Sequence, residues 1–154
     1  MLLNSLLLAA HVIGAVVWVG GMFAAYVCLR PATGAMEPPL RLKLWRDFFA
    51  KFFPWVWVSV LLLLGSGYWM MFASFGGFKG APLYINLMQL LGLVMTGLFI
   101  WLFHGPWLKF KRAADAQQFP VAAGHLGRIR QIIAVNLPLG LLVTVIGATG
   151  RYWG

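Results

Sequence analysis

Acidic residues are the scarcest chemistry in this chain: three Asp and Glu stand against twelve Lys and Arg, and only 10% of the 154 residues are charged. An ordinary soluble domain carries about 25% charged residues, and a disordered one is poor in apolar residues. A hydrophobic content of 62% and a mean hydropathy of +0.85 exclude both. The single cysteine, Cys28, excludes an intramolecular disulfide and any multi-cysteine zinc or iron–sulfur framework. The sequence also lacks a CxxCH haem-attachment motif, a phosphate-binding glycine loop and a recognisable nucleophile–base pair.

What the chain has in abundance is long apolar runs. Four stand out, Leu2 to Leu29, Phe52 to Phe75, Tyr84 to Leu108 and roughly Ile129 to Thr149. Each reaches the about 20 residues that a helix needs to cross a hydrocarbon layer roughly 30 Å thick. They are too long for the alternating segments of about ten residues that build an outer-membrane barrel. The fold class expected is therefore an all-α integral membrane protein, one four-helix transmembrane bundle over residues 1–154. The first run lacks a basic leader and is expected to be a retained helix, not a cleaved signal peptide.

The net charge of +9 would raise the question of nucleic acid in a soluble protein. Here it reads as topology, and no nucleic-acid partner is expected. Arg30, Arg41, Lys43, Arg46 and Lys51 separate the first two runs, and Lys109, Lys111, Arg112, Arg128 and Arg130 separate the last two. The middle connection holds Lys79 and the C-terminus Arg151. The positive-inside rule predicts an up-down bundle with the first and third loops cytoplasmic and both termini outside. Trp45, Trp55, Trp57, Tyr68, Trp69, Tyr84, Trp107, Tyr152 and Trp153 fall near the expected span ends, as interfacial anchors do.

Within the first loop, residues 40–51 are amphipathic. Trp45, Phe48, Phe49 and Phe52 share one helical face, opposite Lys43, Arg46, Asp47 and Lys51. This predicts an interfacial helix on the inner leaflet, its basic face suited to anionic lipid headgroups. The two halves show a weak parallel, each passing from a span through Arg30-Pro31 or Gly105-Pro106 into a basic segment and a second span.

Polar residues inside an apolar span are costly and are functional candidates by default. His11, Gln89 and Asn136 make up the inventory, apart from Ser and Thr that can bond their own backbone. No Asp, Glu, Lys or Arg lies inside a span, which argues against a carboxylate-based proton pump, an ion-coupled carrier or paired-carboxylate hydrolysis. His11, Ala15, Trp18 and Met22 form one inward stripe. With a rise of about 1.5 Å per residue, His11, Met70, Met88 and Gln89 fall in one layer toward the outer side. His104 lies about 20 Å deeper, where His125 can approach it. His11 can thus ligate copper or haem iron through its neutral imidazole, with Met70, Met71 or Met88 as a soft second ligand. It can equally bond a carbonyl or Gln89 while the methionines fill space. Asn136 is expected to bridge backbone groups freed by Pro138, and Cys28 to be a small buried thiol.

His11-Val12-Ile13-Gly14 and Trp18-Val19-Gly20-Gly21-Met22-Phe23 resemble the start of the CopD superfamily of bacterial inner-membrane proteins. That grouping holds copper-resistance protein D domains and, more distantly, the HemJ-type protoporphyrinogen oxidases. The likeness extends through Arg46, Phe49, Phe53-Pro54 and Gly65-Ser66-Gly67, covering mainly residues 8 to 72. The resemblance implies a multi-pass inner-membrane bundle tied to copper or to haem b, with His11 at the position of a HemJ haem-site residue. Where HemJ proteins carry a lysine early in the third span, this chain has Asn86, Met88 and Gln89, a departure from that oxidase.

Three functions stay open on these grounds. The first is a CopD-like inner-membrane protein that holds a transition metal, copper or haem iron, in the outer half of the bundle and serves copper homeostasis or transport, with His11, Met70, Met71 and Met88 as metal ligands. The second is a haem b redox protein, its cofactor contacted by His11, Met88, Gln89 and Trp18. The third is a non-catalytic subunit, in a homo-oligomer or packed into a larger membrane complex.

Overall fold

A computed structural model describes residues 2–153. Four long helices make up the fold, α1 Leu2–Ala32, α2 Pro38–Phe75, α3 Leu83–Asp115 and α4 Phe119–Tyr152, and no strand occurs among the described residues. Short connections make successive helices antiparallel neighbours. α1 packs along α2 and α3 along α4, while α4 also touches α1 and α2 and so closes the bundle. Large apolar side chains such as Val16, Leu61, Leu90 and Val145 face outward on every helix. A water-soluble domain would bury such residues, whereas lipid solvates them.

Local sequence explains the helix ends. Proline occupies the first turn of α2 and of α4, where its missing N–H costs nothing. α2 stops at Gly76, whose φ of 68° is the left-handed conformation that a glycine adopts without strain. Wide π turns occupy Ala24–Leu29 of α1 and Phe103–Trp107 of α3. One directly precedes Arg30-Pro31 and the other contains Pro106. A wide turn relieves the clash between the proline ring and the preceding carbonyls. The two turns thus fall where the halves of the sequence run parallel.

The helices are 31, 38, 33 and 34 residues long, hence about 46 to 57 Å, well over the roughly 30 Å of a hydrocarbon layer. Compared with the expected spans, the surplus lies at the end carrying the two basic connections, called here the basic end. The amphipathic segment 40–51 is helical, but it continues without a break through Pro54 into the rest of α2. Protein, not a leaflet, covers its aromatic face. Trp45 and Phe49 are 1% and 0% exposed. Phe49 stacks on Phe53 with centroids 4.8 Å apart and meets Trp107 and Phe110 of α3 edge-on at 6.1 and 6.5 Å.

The anchor assignment changes accordingly. Trp55, Trp69, Tyr152 and Trp153 are exposed as anchors should be, whereas Trp45 and Trp107 are core residues. The reason is that α2 and α3 run on past the expected spans, so rings near the span ends meet another helix before they meet a headgroup.

The charged face of the same segment is tied inward. Arg46 donates to both carboxylate oxygens of Asp115 at 2.9 and 3.2 Å, joining α2 to the end of α3, while Lys43 pairs with Asp47 at 3.6 Å. The Arg46 and Asp115 side chains are 29% and 49% exposed, so solvent screens the bridge. Asp115→Asn is expected to cost no more than about 1 kcal/mol, with the difference from wild type vanishing in high salt. Thermal melts at two salt concentrations check this.

Candidate metal centre

His11 sits at the head of the inward stripe of α1, half-buried, with Trp18 and Met22 fully buried below it. Its Nδ1 lies 3.0 Å from Ser66 Oγ of α2. The Ser66 hydroxyl donates to the Leu62 carbonyl of its own helix, and the Leu63 carbonyl also bonds the ring. A serine has one proton to give. With that proton on Leu62, Ser66 can only accept, so the imidazole carries its hydrogen on Nδ1. A hydrogen on Nδ1 can serve Ser66 and the Leu63 carbonyl together, and Nε2 then keeps a lone pair, the form that binds a metal. Gly67 makes room for the ring, since a Cβ there would stand 3.1 Å from His11 Cε1.

The other candidates separate into two groups. Met70 and Met71 follow Ser66 and Gly67 by one helical turn on α2, and Met71 is 3% exposed. Met88 belongs to the other helix pair. Its Cε and Sδ lie 2.9 and 3.4 Å from where a Gly147 Cβ would stand on α4. Gln89 donates to the Tyr68 hydroxyl at 3.1 Å and is not the partner of His11. Trp18 packs edge-on against Phe99 at 6.0 Å as part of the core. Of the α2 residues, Ser66 and Gly67 meet His11 directly, and Met70 and Met71 stand one helical turn further along the same helix.

Elsewhere the placements differ from expectation. Asn136 donates to the Met95 carbonyl at 3.3 Å, linking α4 to α3 instead of serving groups freed by Pro138. Its side chain lies on the Gly140 face, which packs against Val19 and Met22 of α1 and Met95 of α3. Cys28 is exposed, because it falls one residue off the inward line of Trp18, Met22 and Ala25. His104 turns back to the Ile100 carbonyl at 3.0 Å and lies against Trp57 and Phe103. Sequence reading missed Ser66 and Tyr68, the polar partners on α2. The available signal was a serine between two glycines opposite His11.

The donors on these two helices that could serve a metal are the His11 imidazole and the Met70 and Met71 thioethers. An imidazole nitrogen and thioethers suit copper(I). No group of three or more His, Cys, Asp or Glu occurs among the described residues, so an ion needing several such ligands lacks them here.

No curated protein and no solved structure matches the chain. The family model for copper resistance protein D matches residues 46–149. The match covers most of α2 and all of α3 and includes Ser66, Gly67, Met70, Met71 and Met88, but not α1 with His11. The resemblance noted in the sequence lay mainly on residues 8 to 72, so the match adds the second half of the chain. With well over half its length matched, the chain belongs to the copper resistance protein D family.

Proposed function

We propose that this chain handles copper in the bacterial inner membrane, in homeostasis or transport, and that His11 receives copper(I) through Nε2 with Met70 and Met71 as thioether partners. The basic loops then face the cytoplasm and both termini face out, so the site opens toward the outer half of the bundle. The observation that carries the reading is the hydrogen-bond relay from His11 through Ser66 to Leu62. It orients an imidazole inside an apolar span, about one helical turn from Met70 and Met71 of α2.

Copper(I) titration against a chromophoric chelator tests this on the purified full chain in detergent. Wild type is expected to take one equivalent tightly, and His11→Ala is expected to lose it. A visible spectrum of the same sample decides against the proposal if it shows a Soret band that disappears in His11→Ala, because haem b would then be the ligand. Absence of both metals from wild type, with no copper taken up, also overturns it and leaves the subunit reading.

A further inference from the structure

Three arginines from three segments meet at the basic end around the turn that joins α1 to α2. Arg30 ends α1 and lies over the Tyr26 ring at 4.9 Å. Arg41, in the first turn of α2, reaches back to the Gly34 carbonyl at 3.4 Å. Arg130 comes from α4, its guanidinium 5.4 Å from the Trp45 ring centroid. Trp45 in turn donates to Thr33 Oγ1 at 3.3 Å, and Thr33 to the Arg30 carbonyl at 3.1 Å. The charges of Arg30 and Arg41 both press on Arg130.

Nothing acidic answers them. The chain has three acids, Glu37, Asp47 and Asp115. Ion pairs among the described residues join Lys43, Arg46, Asp47 and Asp115, and none reaches Arg30, Arg41 or Arg130. Glu37, four residues before Arg41, is exposed and outside these pairs. Arg130 Nε is moreover buried without a hydrogen-bond partner. A planar guanidinium with an orphaned donor, crowded by two like charges, is uphill unless an anion completes it. The location favours phosphate chemistry, because the cluster sits where the helices leave the expected spans, at headgroup depth. An open cleft lined by Tyr26, Val27, Arg30 and Pro31 gives access beside Arg30.

We infer that Arg30, Arg41 and Arg130 form a binding site for one phosphate-bearing anion, whose guanidinium forks grip the phosphate oxygens and tie the α1–α2 turn to α4. This differs from the diffuse attraction expected of the basic face of residues 40–51, where Lys43 and Arg46 already have carboxylate partners. It does not depend on copper.

The test uses the purified full chain, exchanged into detergent with phosphatidylglycerol or with phosphatidylcholine and examined by native mass spectrometry. Wild type is expected to retain one phosphatidylglycerol per chain in preference to phosphatidylcholine. Arg130→Gln and Arg41→Gln are each expected to weaken retention at least about tenfold, and Lys51→Gln to leave it unchanged. Arg41→Gln keeps the test valid if loss of Arg130 from the Trp45 ring impairs folding. In a second arm, inorganic phosphate is added to lipid-free protein. A rise in melting temperature in wild type that Arg41→Gln abolishes, without lipid retention, supports the site with a free phosphate as its source. Equal phosphatidylglycerol retention by wild type and both arginine variants, with no phosphate effect, overturns the inference.

Discussion

Phe49→Ala is expected to destabilise the bundle by about 3 to 5 kcal/mol, the range for truncating a fully buried phenylalanine. Phe49 is 0% exposed and has ring contacts with Trp45, Phe48, Phe53, Trp107 and Phe110. Its removal leaves a cavity walled by rigid rings on two helices. These cannot close on it without giving up their own stacking, so the transfer and cavity losses add. Trp55→Ala provides the contrast. Trp55 is 62% exposed, so its loss removes lipid or headgroup contact and is expected to cost far less. Unfolding in mixed micelles, followed by helix content, checks both. Equal effects would show that the aromatic layer is not the core of this end.

Ser66→Ala is expected to weaken copper(I) binding about 10- to 100-fold, the usual cost of losing the group that orients a ligating histidine. His11→Ala, which removes the ligand itself, is expected to abolish tight binding. The serine acts only through His11, by holding the proton on Nδ1. Its loss frees the ring to swap tautomers and rotate, so the lone pair on Nε2 is presented for only part of the time. Ser59→Ala is the matched control. Ser59 is also buried on α2, but its hydroxyl serves the Trp55 carbonyl at 2.8 Å and has no histidine beside it. Its replacement is expected to leave copper affinity at the wild-type level. If both serine variants bind copper as wild type does, the relay does not prepare His11.

The structure also shows which kinds of inference a membrane sequence permits. His11 stood out because an ionisable group in an apolar run is conspicuous whatever surrounds it. A depth for Gln89 and Met88 can be assigned from the sequence, since rise per residue is a property of the helix alone. Their partners were not legible. Depth places residues in a layer but says nothing of their position around it: Met88 of α3 packs against Gly147 of α4, while Met70 and Met71 belong to α2, the helix that carries Ser66.

Four spans, their helical nature and the sorting of basic residues into two of the connections are therefore properties of the sequence by itself. They depend on hydropathy summed over contiguous residues, and each residue contributes without reference to any distant one. Only tertiary structure decided that α1 pairs with α2 and α3 with α4, that Ser66 is the hydroxyl partner of His11, and that Trp45 and Trp107 are core rings. It also brought Arg30, Arg41 and Arg130 together. The physical reason is that a helix apolar on all sides carries no phase to say which face meets protein and which meets lipid. That choice falls to packing between surfaces far apart in the chain.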